Sequence, residues 1–106
     1  ASWEGFALEQ ILRVLRPTEA FFWATHNGAE LDLFFLRRGL RYGVEIKFQE
    51  APAATKSMRI AIDDLGLEHL WLVFPGGQPF PIDRRITAWP LRDIARLPDA
   101  IHVPGA

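Results

Sequence analysis

The sequence predicts an α/β domain in which a mixed β-sheet is flanked by helices on both faces. Two segments show helical apolar spacing, three short strand-like segments lie between them, and one continuous apolar run follows the second helix. That run, residues 70–74, is typical of a strand that is buried on both faces and pairs in parallel. A helix must then cross over between the third and fourth strands, and the predicted order is α-β-β-β-α-β-β-α.

The composition is that of one globular domain. The chain has 106 residues, of which 49% are hydrophobic and 24% are charged. No apolar run is long enough to cross a membrane and no secretory signal is visible, so we expect a cytoplasmic location and no membrane partner. The lack of cysteine excludes disulfides and thiolate metal sites. Because helix-like sequence starts at once and without Met, we expect residues 1–106 to be one domain of a longer protein.

The first element is a helix over residues 2–16, which Ser2 can cap and Pro17 ends. At about 100° per residue, Glu4 falls near the middle of the apolar stripe of this helix, whereas Glu9 falls on its polar side. A carboxylate on a buried stripe is costly unless it is paired or binds a metal. Glu4 is therefore a candidate site residue, and the alternative is a favourable charge at a helix N-terminus.

Three strands are predicted between the helices. Aromatic-rich residues 19–25 form the first strand, and residues 26–28 form a turn. Residues 29–36 and 41–48 form the second and third strands, joined by a tight turn over residues 37–40. These three strands are expected to follow one another as an antiparallel meander.

The second half of the chain continues the sheet. A second helix is predicted over residues 55–65 from the spacing of its apolar residues, with Gly66 as the glycine that ends it. Residues 70–74 form the fourth strand, residues 86–89 a short fifth strand, and residues 91–97 a last helical turn.

Charged residues of the second and third strands form the candidate site. Strand alternation places Glu30 and Asp32 on one face, and Glu45 and Lys47 on one face. A two-residue or a four-residue turn puts Asp32 opposite Glu45 and Glu30 opposite Lys47, with Cβ atoms about 4.5–5.5 Å apart. A three-residue loop with a bulge after Gly39 would shift this pairing by one residue.

Two facing carboxylates repel each other and lose hydration when the sheet is covered. A positive group is therefore expected between Asp32 and Glu45, either Lys47 or a divalent cation such as Mg²⁺. The alternative is a solvated strand face with an ordinary ion pair between Glu45 and Lys47. Glu30 fits a pairing with Lys47 better than a metal ligand.

This order of acids and lysine resembles the PD-(D/E)XK nuclease superfamily, with Asp32 and Glu45-Ile46-Lys47 at the motif positions and Leu31 in place of the proline. Nearly the whole chain further resembles the uncharacterised C-terminal domain (domain of unknown function 4143) of a class of prokaryotic AAA+ ATPases. The strings that carry this closer resemblance are Trp3-Glu4-Gly5-Phe6-Ala7-Leu8-Glu9, Gly28-Ala29-Glu30-Leu31-Asp32, Val44-Glu45-Ile46-Lys47, Trp71-Leu72-Val73-Phe74-Pro75-Gly76 and Trp89-Pro90-Leu91. The resemblance implies a restriction-endonuclease-like core, and an ATPase module in the same longer chain.

The resemblance also implies a mechanism, although membership of a fold family does not guarantee activity. Asp32 and Glu45, with Glu4 nearby, would hold Mg²⁺ or Mn²⁺, and Lys47 would position water or stabilise the developing charge. The expected function is Mg²⁺-dependent phosphodiester hydrolysis of DNA, with RNA as an alternative substrate. A catalytically silent DNA-binding or protein-docking appendage of an AAA+ ATPase is the alternative function, and a dimerisation domain that forms a homo-oligomer is a third.

The net charge of −1 excludes a highly cationic nucleic-acid coat but leaves room for a local basic patch. The hairpin turn and the second helix carry such residues, and we expect them to contact the phosphate backbone weakly. An ordinary polar rim is the alternative. The candidate DNA-binding residues are Arg37, Arg38, Arg41, Lys56 and Arg59.

Overall fold

The computed structural model describes residues 2–101. Within that range the chain forms a six-stranded mixed sheet with helices on both faces. The helices are α1 (Trp3–Leu15), α2 (Lys56–Leu65) and α3 (Leu97–Ala100), the last preceded by a 3₁₀ segment (Leu91–Arg96). The strands are β1 (Ala20–Ala24), β2 (Glu30–Arg37), β3 (Leu40–Ile46), β4 (His69–Phe74), β5 (Phe80–Asp83) and β6 (Ile86–Pro90), in the spatial order β1-β2-β3-β4-β6-β5.

The ends of both long helices follow local capping rules. The Ser2 hydroxyl accepts a hydrogen bond of 3.1 Å from the Gly5 N–H, and the Thr55 hydroxyl accepts one of 3.3 Å from the Met58 N–H. Helix α2 ends at Gly66, whose φ of 64° is in the left-handed region. The predicted starts of both helices and the role of Gly66 are confirmed.

The β2–β3 hairpin closes through a two-residue turn. Arg38 and Gly39 have φ values of 54° and 78°, and such a pair of positive φ angles matches the twist of the flanking strands. The pairs that follow run from Arg37 opposite Leu40 to Leu33 opposite Val44. The predicted register is therefore confirmed, and the next position along it places Asp32 opposite Glu45.

The crossover through α2 makes the middle of the sheet parallel. Strand β4 pairs in parallel with β3 on one side, where Glu45 is level with Leu72, and with β6 on the other, where Leu72 is level with Ala88. The predicted parallel pairing of the fourth strand is confirmed. The carboxyl ends of β3, β4 and β6 consequently lie at one edge of the sheet, where α2 begins.

A β-bulge interrupts β2 next to the candidate site. Phe21 of β1 is opposite Phe34, but Trp23 is opposite Leu31, so β2 contains one residue more than β1 over this stretch. Leu31 consequently packs with the core beneath α2, whereas Leu33 packs with the core beneath α1. The prediction that Glu30 and Asp32 share a face is wrong, because the extra residue breaks the alternation on which it depended.

Strand β5 is absent from the predicted order, which is corrected to α-β-β-β-α-β-β-β followed by the 3₁₀ segment and α3. Pro79 and Pro81 made this segment resemble a loop, because proline cannot donate to a ladder. Within the described range, β5 is an edge strand that pairs only with β6, and proline is tolerated at an edge. Among the described residues, no helix combines the length and apolarity needed to cross a membrane.

Two apolar cores cover the two faces of the sheet. Helix α1 contributes Ala7, Ile11 and Leu15 to one core, and α2 contributes Met58, Ala61 and Ile62 to the other. In the first turn of α1, Trp3 is half-buried against this core, but Glu4 and Phe6 are not buried.

Glu4 and Phe6 are exposed, and Phe6 keeps 53% of its surface in contact with solvent. Glu4 shares the helical stripe of Ile11 but lies two turns earlier, about 10 Å along the axis. Although Glu4 lies on the apolar stripe, it is too near the helix start to be buried. The expected burial of Glu4 is therefore wrong.

Gly43 lies where two buried leucines leave no space for a side chain. A Cβ at this position would be 2.8 Å from Leu67 Cδ1 and 3.0 Å from Leu31 Cδ2. We expect Gly43→Ala to lower the free energy of unfolding by about 1–3 kcal/mol through overpacking, measured by urea unfolding. Gly76→Ala is the matched control, because a Cβ there meets no atom within 4 Å. Equal stabilities for the two variants would contradict this packing.

Candidate functional site

Asp32 and Glu45 are held against each other at the end of the β2–β3 ladder. The Asp32 N–H donates a hydrogen bond of 3.1 Å to Glu45 Oε1, and the Ile46 N–H donates one of 2.8 Å to Asp32 Oδ2. Each carboxyl group thus accepts a hydrogen bond from the backbone of the opposite strand. This exchange fixes the positions of both side chains, and each carboxyl group has a second oxygen that these backbone bonds do not use.

Glu45 is the buried charged side chain of the described range, with only 7% of its surface exposed. Burial, and next the hydrogen bond and negative charge of Asp32, raise the pKa of Glu45 to about 8. The Asp32 N–H and the charge of Lys47 lower this pKa, but by less. Without a cation, Glu45 is therefore mostly protonated at neutral pH.

Lys47 is the cation nearest to the pair that the structure shows. Its Nζ lies 3.9 Å from Glu45 Oε2, and its side chain remains 36% exposed. An ion pair of this length, partly in water, is weak, which explains why the pKa of Glu45 stays high beside a lysine. The expected pairing of Glu30 with Lys47 is replaced by this contact with Glu45.

The pair lies at the edge where the parallel strands end. The Lys47 N–H donates a hydrogen bond of 2.9 Å to the Val73 carbonyl, so the ladder to β4 continues just past Glu45. Helix α2 begins at the same edge. In its first turn, the Ser57 hydroxyl accepts a hydrogen bond of 3.3 Å from the Glu30 N–H at the start of β2. In open α/β sheets, ligands bind outside the carboxyl ends of the strands.

The chemistry of the pair fits a hard divalent cation. Within residues 2–101, no three His, Cys, Asp or Glu side chains are grouped so that they could hold a metal ion. The structure therefore does not bring Glu4 into a ligand set with Asp32 and Glu45. Mg²⁺ commonly binds to one or two carboxylates and completes its shell with water and substrate phosphate. Two carboxylates are sufficient for that kind of site, but not for an enclosed protein cage.

The hairpin arginines lie away from the pair. At about 3.3 Å per residue, the turn at Arg38 is about 20 Å along β2 from Asp32. Arg37 Nη1 donates to the Leu15 carbonyl at 3.4 Å, and Arg41 Nη1 donates to the Leu65 carbonyl at 3.1 Å. Two of these three arginines thus bind the carboxyl ends of α1 and α2, and the turn does not lie beside the candidate site.

The two basic residues of α2, Lys56 and Arg59, differ in their contacts and in their position relative to the carboxyl pair. Arg59 Nη1 forms an ion pair of 2.6 Å with Asp83 of β5. Lys56 is exposed in the first turn of α2, next to Ser57 and therefore at the edge that holds the carboxyl pair. Of the predicted DNA contacts, Lys56 is the one that the fold places near this edge.

The sequence prediction missed an aromatic contact at the carboxyl end of β3. Phe48 directly follows Lys47, is 65% exposed, and has its ring centroid 5.4 Å from that of Trp3. Trp3 itself is half-buried and packs against the core beneath α1. The available signal was an aromatic residue placed immediately after the charged strand end.

A pocket of about 350 Å³ lies at the opposite edge of the sheet. Its lining includes Tyr42, Trp71 and Trp89, and His69 Nε2 lies 2.7 Å from the Thr87 hydroxyl. The pocket surrounds the amino ends of β3 and β4, away from the carboxyl pair. This pocket therefore does not contain the acidic pair, and no function is assigned to the pocket.

Replacement of Asp32 tests whether the two carboxyl groups oppose each other. In Asp32→Asn the amide oxygen can still accept from Ile46, and the amide nitrogen can donate to the Glu45 carboxylate. We expect the free energy of unfolding at pH 8 without metal to rise by about 1–3 kcal/mol. We also expect Mg²⁺ to raise the melting temperature of the wild type but not that of this variant. Asp63→Asn, at an exposed acid of α2, is the control and should change neither property. A fall in stability would show that the charge of Asp32 is stabilising.

The raised pKa of Glu45 predicts a pH dependence of stability. Its pKa is about 8 in the folded protein and 4.5 ordinarily, so between these values the folded state binds more protons than the unfolded state. Stability without metal should therefore fall as pH rises from 5 to 8, by up to about 1.4 kcal/mol per pH unit. Urea unfolding across this range should show the slope in the wild type and not in Glu45→Gln. An identical slope in both proteins would exclude Glu45 as its source.

Comparison with known proteins identifies one family. The family model described as Domain of unknown function (DUF4143) matches residues 1–94. The uncharacterized proteins Rv2008c of Mycobacterium tuberculosis and Mb2031c of Mycobacterium bovis are each 44% identical to the chain over 94 residues. The match covers 89% of the chain and 21% of each protein, so the chain spans about a fifth of the length of the curated relatives it matches. No solved structure matches significantly. Because this family model matches most of the chain, the chain belongs to the DUF4143 family.

Proposed function

We propose that this domain is a Mg²⁺-dependent DNA phosphodiesterase with a restriction-endonuclease-like core, related to the PD-(D/E)XK nucleases. The observation that carries the proposal is the Asp32–Glu45 pair, held between two central strands with Lys47 beside it at the carboxyl edge. Burial of Glu45 beside the partly buried Asp32 is unfavourable for folding unless a ligand uses the pair. A divalent cation, Mg²⁺ or Mn²⁺, is the ligand that this donor set fits.

The residues of the chain have distinct roles in this proposal. Asp32 and Glu45 hold the cation through carboxylate oxygens, in positions fixed by the Ile46 and Asp32 N–H groups. When bound, Mg²⁺ polarises the scissile phosphate and lowers the pKa of an attacking water. Lys47 extends from the strand end beside Glu45, where its ammonium group can orient that water or stabilise charge on a phosphate oxygen.

The cellular context belongs to the same proposal. Membership of the DUF4143 family supports the resemblance to the C-terminal domain of AAA+ ATPases. We therefore place the domain in a longer cytoplasmic chain that also carries an ATPase module. The ATPase module would supply stronger DNA contacts, since weak contacts multiply when sites are linked.

A catalytically silent docking or DNA-binding module is the second candidate. The hydrogen bonds that Asp32 and Glu45 accept from opposing backbone groups favour it, because they give both carboxyl groups a structural role. The exposure of Glu4, away from the pair, favours it as well. In this function the domain keeps the fold and positions an ATPase.

A nicking assay on supercoiled DNA with Mg²⁺ or Mn²⁺ separates the two candidates. We expect cleavage by the wild type, a loss of about 100- to 1000-fold in Lys47→Ala, as for removal of one stabilising donor, and complete loss in Asp32→Asn. Asp63→Asn is the control with an altered exposed acid and should cleave like the wild type. If the folded wild type shows neither cleavage nor stabilisation by Mg²⁺, the nuclease proposal is overturned and the docking or DNA-binding module is favoured.

A further inference from the structure

We propose that two copies of this chain associate through strand β1, so that their sheets join edge to edge about a two-fold axis at Phe22. This inference goes beyond the proposed function and does not rest on it. The observations that carry it are the hydrogen-bonding state of the β1 edge, the order of side chains along the strand, and the charges next to it.

The backbone of β1 has hydrogen-bonding groups that β2 does not use. Among the described residues, β1 is an outermost strand of the sheet and pairs only with β2. The Thr25 N–H donates a hydrogen bond of 2.9 Å to the Ala29 carbonyl, just before β2 begins. Because successive residues of a strand alternate in the direction of their N–H and C=O groups, those of Ala20, Phe22 and Ala24 point away from β2. Such a row is a template for another strand, so the partner that fits this edge is a β-strand.

The opposite edge of the sheet is protected against such pairing. Strand β5 contains Pro81, follows Pro79 and ends at the charged Asp83. Proline and charge are devices that keep an edge strand from pairing with another chain. Strand β1 contains neither, and its Phe21 and Phe22 are 48% and 63% exposed. The edge of β1 is therefore open to a partner.

The side chains of β1 are self-complementary in an antiparallel pair. The strand has an alanine at each end and three aromatic residues between them, so the order of small and aromatic residues is the same in both directions. The pairs formed about a two-fold axis at Phe22 are Phe22 with its own copy, Ala20 with Ala24, and Phe21 with Trp23. A two-fold dimer needs this property, since the same patch meets itself. A second copy of the chain is therefore the partner that the strand favours.

The backbone groups of the edge suit the same axis. In this register each outward-pointing residue of β1 meets an outward-pointing residue of the other copy, and all their N–H and C=O groups are used. A shift by two residues would leave an alanine of each strand without a partner in β1. A shift by one residue would bring outward-pointing groups against inward-pointing ones. The two-fold register thus satisfies more backbone groups than its neighbours do.

An aromatic cluster would form on the α2 side of the joined sheet. The rings of Phe21 and Phe34 have centroids 6.0 Å apart, and Phe34 and Trp23 pack against the core beneath α2. In the dimer, Phe21 of one copy lies opposite Trp23 of the other, and aromatic pairs of this kind stabilise sheets. On the other face, Phe22 contacts its own copy. The exposed parts of both phenylalanines are covered in this way.

The charges next to β1 permit the pairing. Glu19 precedes the strand and His26 lies two residues after it. In the two-fold register Glu19 is opposite Thr25 and His26 is opposite Thr18, so neither residue meets its own copy. The two Glu19 residues lie at opposite ends of the paired strands, about 20 Å apart. No like charges are therefore brought directly against each other.

Substitution of Phe22 tests the dimer, because this residue faces its own copy at the axis. We expect the wild type to shift from monomer to dimer mass as its concentration rises, measured by sedimentation velocity, since one strand pair is a small interface. Phe22→Lys and Phe22→Glu should each raise the dissociation constant of the dimer by about tenfold or more, because like charges then lie opposite and apolar contact is lost. An equimolar mixture of the two variants should dimerise again, since opposite charges then face each other.

Two further variants serve as control and as an independent probe. Phe48→Lys is the matched control, because Phe48 is 65% exposed but follows β3, two strands from β1; it should dimerise like the wild type. Ala20→Pro removes one outward N–H and should weaken the dimer, while proline is tolerated at the start of an edge strand. Urea unfolding checks that all compared chains are folded. If a Phe22 variant is unfolded, Ala20→Pro decides the outcome.

Amide hydrogen exchange tests the register. As the concentration of the wild type rises, the N–H groups of Ala20, Phe22 and Ala24 should exchange more slowly. The N–H groups of Phe21 and Trp23 already point toward β2 and should change little.

Four results would overturn the inference. They are a wild type that stays monomeric at every concentration, a dimer that the Phe22 variants and Ala20→Pro leave intact, an equal loss in Phe48→Lys, and a mixture of Phe22→Lys with Phe22→Glu that does not dimerise. The first result would assign the β1 edge to a different partner strand, and the last would exclude an axis at Phe22.

Discussion

The turn at Arg38 and Gly39 sets the pairing on which the candidate site depends. Both residues have positive φ, and a two-residue turn of this kind leaves one register for all later pairs of β2 and β3. Six residues before Arg38, that register brings Asp32 against Glu45. Regular pairing ends there, and each carboxyl group accepts a backbone N–H of the other strand. The acidic pair is thus both the end of the hairpin ladder and the centre of the candidate site.

This double role explains how a protein can keep two carboxyl groups in a half-buried position. The backbone N–H groups stabilise negative charge on both, while burial and mutual repulsion disfavour it, and for Glu45 the unfavourable effects are larger. In the free protein, protonation of Glu45 relieves this conflict, because its pKa is raised to about 8. In the proposed function, a divalent cation would relieve it instead. Lys47 is too distant and too solvated to replace either.

The carboxyl edge of the sheet brings other exposed side chains to the end of the sheet that holds the acidic pair. The parallel pairing of β3 with β4 obliges α2 to begin at this edge, so exposed Lys56 lies on the same side as the acidic pair. Phe48 leaves β3 at the same place and rests on Trp3 of α1. The turn of the β2–β3 hairpin lies at the far end, where Arg37 and Arg41 bind helix carbonyls. Their role is to join α1 and α2 to the sheet.

The sequence by itself determined what depends on near neighbours: the helix ends at Ser2, Thr55 and Gly66, the hairpin register, and the facing of Asp32 and Glu45. These features follow from capping bonds, turn angles and strand alternation, which involve residues close in the chain. Only the tertiary structure decided the bulge in β2, because the extra residue is defined by pairing with β1. The same holds for strand β5, which exists because β6 offers an edge, and for the exposed Glu4. The partners of Arg37 and Arg41 are likewise set by packing between distant segments, which local patterns do not encode.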